Sequence, residues 1–560
     1  MIRLGEHMRI GRLSAGLPRR LLNGWSRLPS TVTRLVLVPV DLTSAEPGFL
    51  DEIARGTFCL GQHTIDTGAD SPFSVTGAPD DWLAELHGFS WLSHLRKDAS
   101  EAAIACARRL VGDWLAREAR ARGVVWRSNV LATRITSWLV NAGLLLEGAD
   151  PTFYRAVLKS LGRQIRRLDA ERHATGEGVQ RLHCLSTLLQ AALAIGAAEH
   201  HLERLEDELG AEIEAQILAD GCHVSRNPSH TLDVLAWLLP LRRCCQAIRR
   251  PCPVIDDTVR RMIFFLRVMR LGDGTLGRFN GVGQPRRDLL GMLLAFDPEE
   301  GSPLHMARAG GYVRLESRGT IVLIDAGRAP PTAHATAAQA GCLAFEISSG
   351  KHGILRNGGA PGTASGVEGY LHRATSNHNT LVLDARSSAR LAEAPAIERR
   401  TGAKPIRGPA RVSASVEERD GSLVFVGEHD GYVEETGIVH HRSLRLSMDG
   451  RRLAGLDRLA GPAGVMRLPV DLPFAIHFHL ADAISAEIEA GATSAVLTTR
   501  DGEARWRLAA SDARMTIEAA TDWGHVTGPI SSRQLVLRAS TPGESTVAWV
   551  LEEVGASEAN

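Results

Sequence analysis

Apolar residues return every three or four positions from about Glu101 to Leu271. Ile104, Ala107, Val111, Trp114 and Leu115 form one such stripe, and Ile135, Trp138, Leu139, Ala142 and Leu145 another. The pattern recurs at Val157, Leu158, Leu161, Ile165 and Leu168, then at Leu182, Leu185, Leu188, Leu189 and Ala192. It continues through Leu202–Ile217, Leu232–Leu239 and Val259–Leu266. A spacing near 3.6 marks amphipathic helices, and a succession of them with short connectors predicts an all-α layer whose neighbours bury each other's stripes.

After roughly Pro303 the period falls to two. GYVRLESRGTIVLIDAG reads as two strands around an Arg-Gly turn, and GCLAFEIS, NTLVLDA, ARVSASVEE and GSLVFVGE follow. Asp449-Gly450 and Asp501-Gly502 supply hairpin signals within the later alternating runs. Many short alternating strands predict an antiparallel sandwich. The expected organisation is a helical domain over 1–305 followed by a β domain over 306–560.

Composition narrows the class. The chain has 560 residues, 44% hydrophobic and 23% charged, as a globular protein does. Its 64 basic residues balance 64 acidic ones, which argues against bulk electrostatic binding to nucleic acid. None of the eight cysteines forms a C-x-x-C pair, so zinc ribbons and thioredoxin-like redox chemistry are disfavoured and free, mostly buried thiols are expected. The first thirty residues are basic but lack a continuous apolar core, and no run is long enough to span a membrane. No secretory signal is read, which points to the cytoplasm.

The densest polar chemistry lies in DGCHVSRNPSH, Asp220 to His230, between two leucine-rich helical runs. Two histidines, an arginine and an asparagine in a Gly- and Pro-broken segment suit either a polar loop or one rim of a cleft. Arg181 and His183 open the preceding helix, where a core or boundary histidine is the commoner role. In the β half, His334, Asn357 in KHGILRNGGAP and His378 in RATSNHNT form a second cluster. Arg163, Arg166, Arg167 and Arg172 make a basic helix flank, more often a solvated face than an anion-binding wall. His477 and His479 share a strand face, without an evident third metal ligand.

Three separated segments carry a resemblance: PFSVTGAPDDWLAELHGFSWLSHL near the start, AGCLAFEISSGKHGILRNGGAP, and RATSNHNTLVLD. With the helix-then-strand order, they resemble the heparinase II/III-like family. That resemblance implies an α/α toroid, an incomplete barrel, followed by an antiparallel β-sandwich. It also implies a polysaccharide lyase that cleaves beside a uronic acid by β-elimination. Such chemistry needs a group to neutralise the uronate carboxylate, a base for the C5 proton and an acid for the leaving O4.

Carried onto this chain, the resemblance puts His230 where the family has its catalytic tyrosine, as base or acid. Asn227 or Arg226 would neutralise the carboxylate, and His378 would face them. His183, Arg181, His223, His334 and Asn357 are the expected substrate contacts. The family's His-Ala-Asp motif reads here as Gln339, Ala340 and Gly341, and another family aspartate reads as Asn357. One imidazole with two neutral amides makes a poor zinc site, so no metal or other cofactor is expected. The expected partner is an anionic polysaccharide or oligosaccharide, with no nucleic acid. The family implies the cell envelope or periplasm as location, in conflict with the missing signal, and the sequence specifies no oligomeric state. Two alternatives stay open: a glycan-binding protein that has lost the chemistry, and a toroid glycoside hydrolase using Asp220 and Asp233 as paired carboxylates.

Overall fold

The computed structural model describes residues 32–42, 46, 48–173, 178–296, 306–362, 368–461, 471–511, 513–541 and 545–555. The N-terminal segment read for a secretory signal and the expected domain boundary near 305 lie outside these residues. Contacts divide the chain into two compact units, one of 1–214 with 236–256, the other of 215–235 with 257–560.

The first unit has a short helix (Phe49–Ala54) followed by a hairpin, β1 (Thr57–Leu60) and β2 (His63–Asp66), and beyond it the regular structure is helical. Its main helices are α1 (Asp80–Gly88), α2 (Leu92–Asp98), α3 (Glu101–Arg117), α4 (Ser128–Val140), α5 (Pro151–Glu171), α6 (Val179–Ala194) and α7 (Glu199–Gln216). The starts are encoded locally. Ser100 accepts from the Ala103 N–H at 3.1 Å, and Asp150 accepts from Thr152 and Phe153 at 3.0 and 2.9 Å, with Pro151 at the first helical position. On α5 the stripe Val157, Leu158, Leu161, Ile165 and Leu168 is buried as its spacing predicts. On α6 every residue from Leu182 to Ala194 is buried, so this helix is enclosed on all sides rather than packed by one face.

Helix α4 packs against α1, α5 and α6. It carries the fully buried Arg134, whose guanidinium donates to Gln164 Oε1 and His87 O, each at 2.8 Å, and to Val125 O at 3.2 Å. A buried cation is tolerated only with such partners. Trp82, Trp114 and Trp138 complete this core.

The second unit takes α8 (Pro228–Ala247) and α9 (Pro253–Met269) in part and α10 (Arg287–Ala295) whole. Its first sheet orders β3 (Met306–Ala307), β4 (Tyr312–Ser317), β5 (Thr320–Asp325), β6 (Phe345–Ser349) and β7 (His352–Leu355) consecutively, all antiparallel. After β8 (Leu381–Leu383) and the short pair β9 (Arg390–Leu391) and β10 (Ile406–Arg407), the chain builds two more sheets.

The larger runs β11-β12-β13-β14-β21-β18-β17-β16, from β11 (Val412–Glu418), β12 (Ser422–Tyr432), β13 (Ile438–Ser447), β14 (Arg452–Ala460), β16 (Ile484–Ile488), β17 (Ser494–Thr499), β18 (Arg505–Ala510) and β21 (Ser545–Glu553). The other runs β19-β20-β15-β8, from β15 (Pro473–His479), β19 (Arg514–Asp522) and β20 (Ile530–Ser540). Helices therefore precede an antiparallel sheet sandwich, as the change of period predicts. One apolar cluster, with Val322, Phe345, Leu444, Leu453, Phe478, Leu508, Trp549 and Leu551, joins the three sheets. Inside it Arg442 pairs with Asp457, which also accepts from Trp549 Nε1 at 2.9 Å.

All eight cysteines are free, six of them buried. Among the described residues no helix is long and apolar enough to cross a membrane.

Candidate functional site

The segment 217–227 belongs to the β-containing unit and is tied to its first sheet. Ile217 and His223 form an isolated antiparallel bridge that turns the chain back through Asp220-Gly221. Gly221 has φ +87°, and a Cβ there would collide with the backbone of Arg261, so only glycine fits the turn. Asp220 accepts from the Cys222 N–H at 3.2 Å and from the Gly310 N–H at 2.7 Å. This carboxylate closes a loop.

Arg226 is the main tie. Its guanidinium pairs with Asp325 at the end of β5 and donates to Gly310 O at 2.7 Å, Arg328 O at 2.8 Å and Gly311 O at 3.4 Å. The phenol of Tyr312 donates to Arg226 O, and Asn280 Nδ2 donates to Tyr312 Oη at 2.8 Å and Asp325 Oδ2 at 2.9 Å. These groups are buried. Arg226 itself sits at φ 59°, a left-handed conformation that the surrounding bonds hold in place. The expected role of neutralising a substrate carboxylate does not suit this guanidinium, because internal acceptors occupy it.

Beyond Arg226 the chain enters α8, and Asn227 caps it. Its Oδ1 accepts from the Ser229 N–H at 2.9 Å with Pro228 between. Its Nδ2 takes no hydrogen-bond acceptor among the described residues and stands over Gly281, where a Cβ would lie 2.9 Å away. One turn on, the partly exposed His230 ring is held by Ser225, whose Oγ is 2.8 Å from Nδ1 of His230 and 2.8 Å from Nδ1 of His223. His223 Nε2 meets Gln216 Oε1 at 2.8 Å. The result is a hydrogen-bond chain, Gln216–His223–Ser225–His230, ending on a ring whose Nε2 has no protein partner among the described residues. Burial holds both imidazoles below the usual histidine range, His223 well below, so both are neutral at neutral pH.

His334, at the end of a short 3-10 turn (Thr332–His334), places its ring 6.0 Å from that of His223, which lies 5.3 Å from that of His230. The structure thus brings together His223, Asn227, His230 and His334. It also adds Gln216, Ser225 and Gly281, which sequence reasoning did not single out. Asp233, three residues beyond His230, pairs with Arg286.

The remaining candidates lie elsewhere. His378 is 1% exposed, donates from Nδ1 to Ala374 O at 2.8 Å, and burial lowers its pKa to about 4. Buried there, it is not a cleft-wall residue. Asn357 is fully buried, with Oδ1 accepting from the Asn379 N–H at 2.8 Å and Nδ2 donating to Arg278 O at 3.4 Å, so it serves the fold. Gln339 accepts from the Gly281 N–H at 3.1 Å and donates to Gly359 O and His372 O at 3.0 and 2.9 Å. Those amide oxygens are engaged by backbone N–H groups and neither carries charge, so with His378 they do not fit a zinc ion.

His477 meets Gln534 Oε1 at 2.9 Å and His479 meets Ser376 O at 2.8 Å. In the helical unit, His183 stacks on Trp237 with centroids 4.2 Å apart, and burial lowers its pKa to about 4. Arg181 pairs with Glu212 at 2.7 Å.

Comparison with known proteins gives three findings. The C-terminal model of the heparinase II/III-like family matches residues 299–550. FtsZ-localized protein C of Caulobacter vibrioides is 25% identical over 532 residues, covering 92% of this chain and 89% of that protein. Among solved structures, a heparinase III superposes with a TM-score of 0.70 at 14% identity, over 96% of this chain and 90% of that one. A heparan sulfate lyase of Pedobacter heparinus gives 0.59 at 16% identity, over 97% and 88%. At these identities the superpositions establish the fold.

Proposed function

Residues 299–550 match the C-terminal domain of the heparinase II/III-like family and the whole chain has the heparinase III fold, and from that premise we propose that it acts on a uronate-bearing glycan by β-elimination at His230. The supporting observation is the chain Gln216–His223–Ser225–His230. Ser225 has one hydroxyl proton for two facing Nδ1 atoms. The Ser225 backbone N–H also donates to His223 Nδ1 at 3.1 Å, so that atom is an acceptor and the His223 proton sits on Nε2, toward Gln216. The hydroxyl therefore donates to His223 and accepts from Nδ1–H of His230. That leaves the His230 lone pair at Nε2, the form a base needs.

In the elimination, Nε2 takes the C5 proton and the C5–H electrons form the C4–C5 double bond. The C4–O4 bond breaks, and O4 leaves with a proton that the imidazolium returns. Asn227 Nδ2 is the donor for the uronate carboxylate, since Arg226 is committed to Asp325. The hydrolase alternative loses support from the same geometry, because Asp220 binds backbone N–H groups and Asp233 pairs with Arg286. The test is ultraviolet absorbance of the conjugated unsaturated uronate during incubation with a panel of uronate polysaccharides. Growth of absorbance that His230→Ala abolishes is expected, and products without the double bond would overturn elimination.

A second reading follows from the relative named for localisation to FtsZ. In it the chain is a division-associated glycan binder that keeps the pocket and has lost turnover. The burial of His378 and the commitment of Arg226 favour it. Saturable glycan binding with no unsaturated product would select this reading.

A further inference from the structure

The helical unit contains a groove of about 920 Å³ that opens between the turn after α3 and the C-terminal half of α5. Arg122, Trp126, Arg127, Arg163, Arg166 and Arg167 line it, and an adjoining hollow of about 570 Å³ shares Arg122, Trp126, Arg163 and Arg167. Against these five arginines stand Glu118 and Glu171 in the two hollows and Asp80, which pairs with Arg127, so positive charge is still in excess. The chain as a whole is neutral, which makes this local excess a departure from the rest of the molecule.

The arginines are preorganised. Arg167 lies over the Trp126 ring at 4.2 Å and reaches Glu171 at 3.2 Å. Trp126 is itself fixed by Nε1 donating to Ala121 O at 2.9 Å. Arg163 pairs with the buried carboxylate of Glu118, and Arg122 donates to Ala119 O and Ala121 O at 3.1 and 2.8 Å. Guanidinium groups held this way lose little rotamer freedom when they meet an anion, and each offers a planar fork that matches a carboxylate.

The positive charge is also linear. Arg155, Lys159 and Arg163 follow at intervals of four on α5, with Arg166 and Arg167 next, so one helix face carries cations over about 18 Å at ~1.5 Å per residue. Arg155, Lys159 and Arg163 are exposed.

We propose that this groove binds an extended acidic polysaccharide, its carboxylates or sulfates seated on Arg122, Arg163 and Arg167. The inference rests on the glycan reading of the His230 site for its choice of polyanion. Single-stranded nucleic acid fits less well: the lining aromatic, Trp126, already carries the guanidinium groups of Arg167 at 4.2 Å and Arg134 at 5.2 Å from its ring, where a base would stack.

The test is titration of the full chain with end-labelled heparan sulfate and oligoglucuronate, with poly-glutamate and single-stranded DNA as competitors. Binding is expected to weaken about tenfold or more in Arg122→Gln/Arg163→Gln, and to weaken in Arg122→Gln/Arg127→Gln, which leaves the buried Glu118 paired. Arg163→Lys, which keeps the charge and loses the fork, is expected to weaken binding less than either double variant. Parent-like binding by both arginine double variants, no binding by the parent chain, or equal competition by poly-glutamate or DNA would each overturn the groove assignment. Failure of the lyase reading appears separately, as intact binding without unsaturated product.

Discussion

Ser225 Oγ stands 2.8 Å from Nδ1 of His230, and because its proton is directed at His223 this contact fixes both the orientation and the tautomer of the ring. Ser225→Ala removes the hydroxyl and leaves Nδ1 without its partner. If elimination proceeds at Nε2, kcat falls about tenfold with KM little changed, whereas His230→Ala costs at least ~100-fold, the ordinary scale of general acid–base catalysis. Nitrogen shifts of the His230 ring give a readout independent of turnover: mixed tautomers are expected in Ser225→Ala. Burial depresses the His230 pKa, so the neutral base persists into mild acid, and the rate should climb with pH through a midpoint below the usual histidine value. A midpoint at or above it would contradict this environment.

Gly281 is the floor beneath Asn227. At φ +101° a Cβ would press on Asn227 Nδ2 at 2.9 Å and on Ala337 at 3.0 Å. Gly281→Ala is therefore expected to destabilise by ~1–3 kcal/mol, partly from the backbone and partly from displacement of Asn227. Glycan affinity should fall more than the melting temperature suggests. Thermal unfolding beside a binding titration separates the two effects, and a variant as stable as the parent with unchanged affinity would remove Gly281 from the site.

What could be read from sequence divides along physical lines. Periodicity identified the helices and most strands because burial on one face leaves a period of 3.6 or 2. It could not show that α6 is enclosed on all sides, since Ser186, Thr187 and Gln190 read as a polar face and are nonetheless buried. Within DGCHVSRNPSH the residue types announced proton chemistry, yet the partners that decide their roles are distant in sequence. Arg226 looked available for a substrate because Asp325 and Gly310 lie 99 and 84 residues away along the chain. Ser225 passed unnoticed as a bridge because serine in a turn is commonplace. His378 and Asn357 read as cleft residues from their polar runs, but burial can be read only from the folded sheets.

The Arg226–Asp325 pair yields a stability prediction. Both side chains are buried, so removing one partner strands the other charge. Arg226→Met or Asp325→Leu alone should cost ~3–5 kcal/mol, while the double variant recovers a large part of that loss. A double-mutant cycle on denaturant midpoints measures the coupling. Additive single losses would mean that the pair does not act as a unit.

Acid stability follows from the buried neutral histidines, of which His183 is the cleanest test. Its folded pKa of about 4 lies below the unfolded value of ~6.5, so the unfolded chain binds more protons once the pH drops below ~6.5. The stability attributable to this residue is whole above that range and is lost progressively as the pH falls toward about 4. At pH ~5 the loss from His183 alone is about 2 kcal/mol. His183→Phe keeps an aromatic ring on Trp237, where the imidazole now stacks at 4.2 Å, and removes the titration. The two proteins should melt within a few degrees of each other at neutral pH, and the Phe variant should lose less on acidification. Parallel melting curves at both pH values would show that His183 is not protonated on unfolding in this range, or that it is already charged in the folded helix.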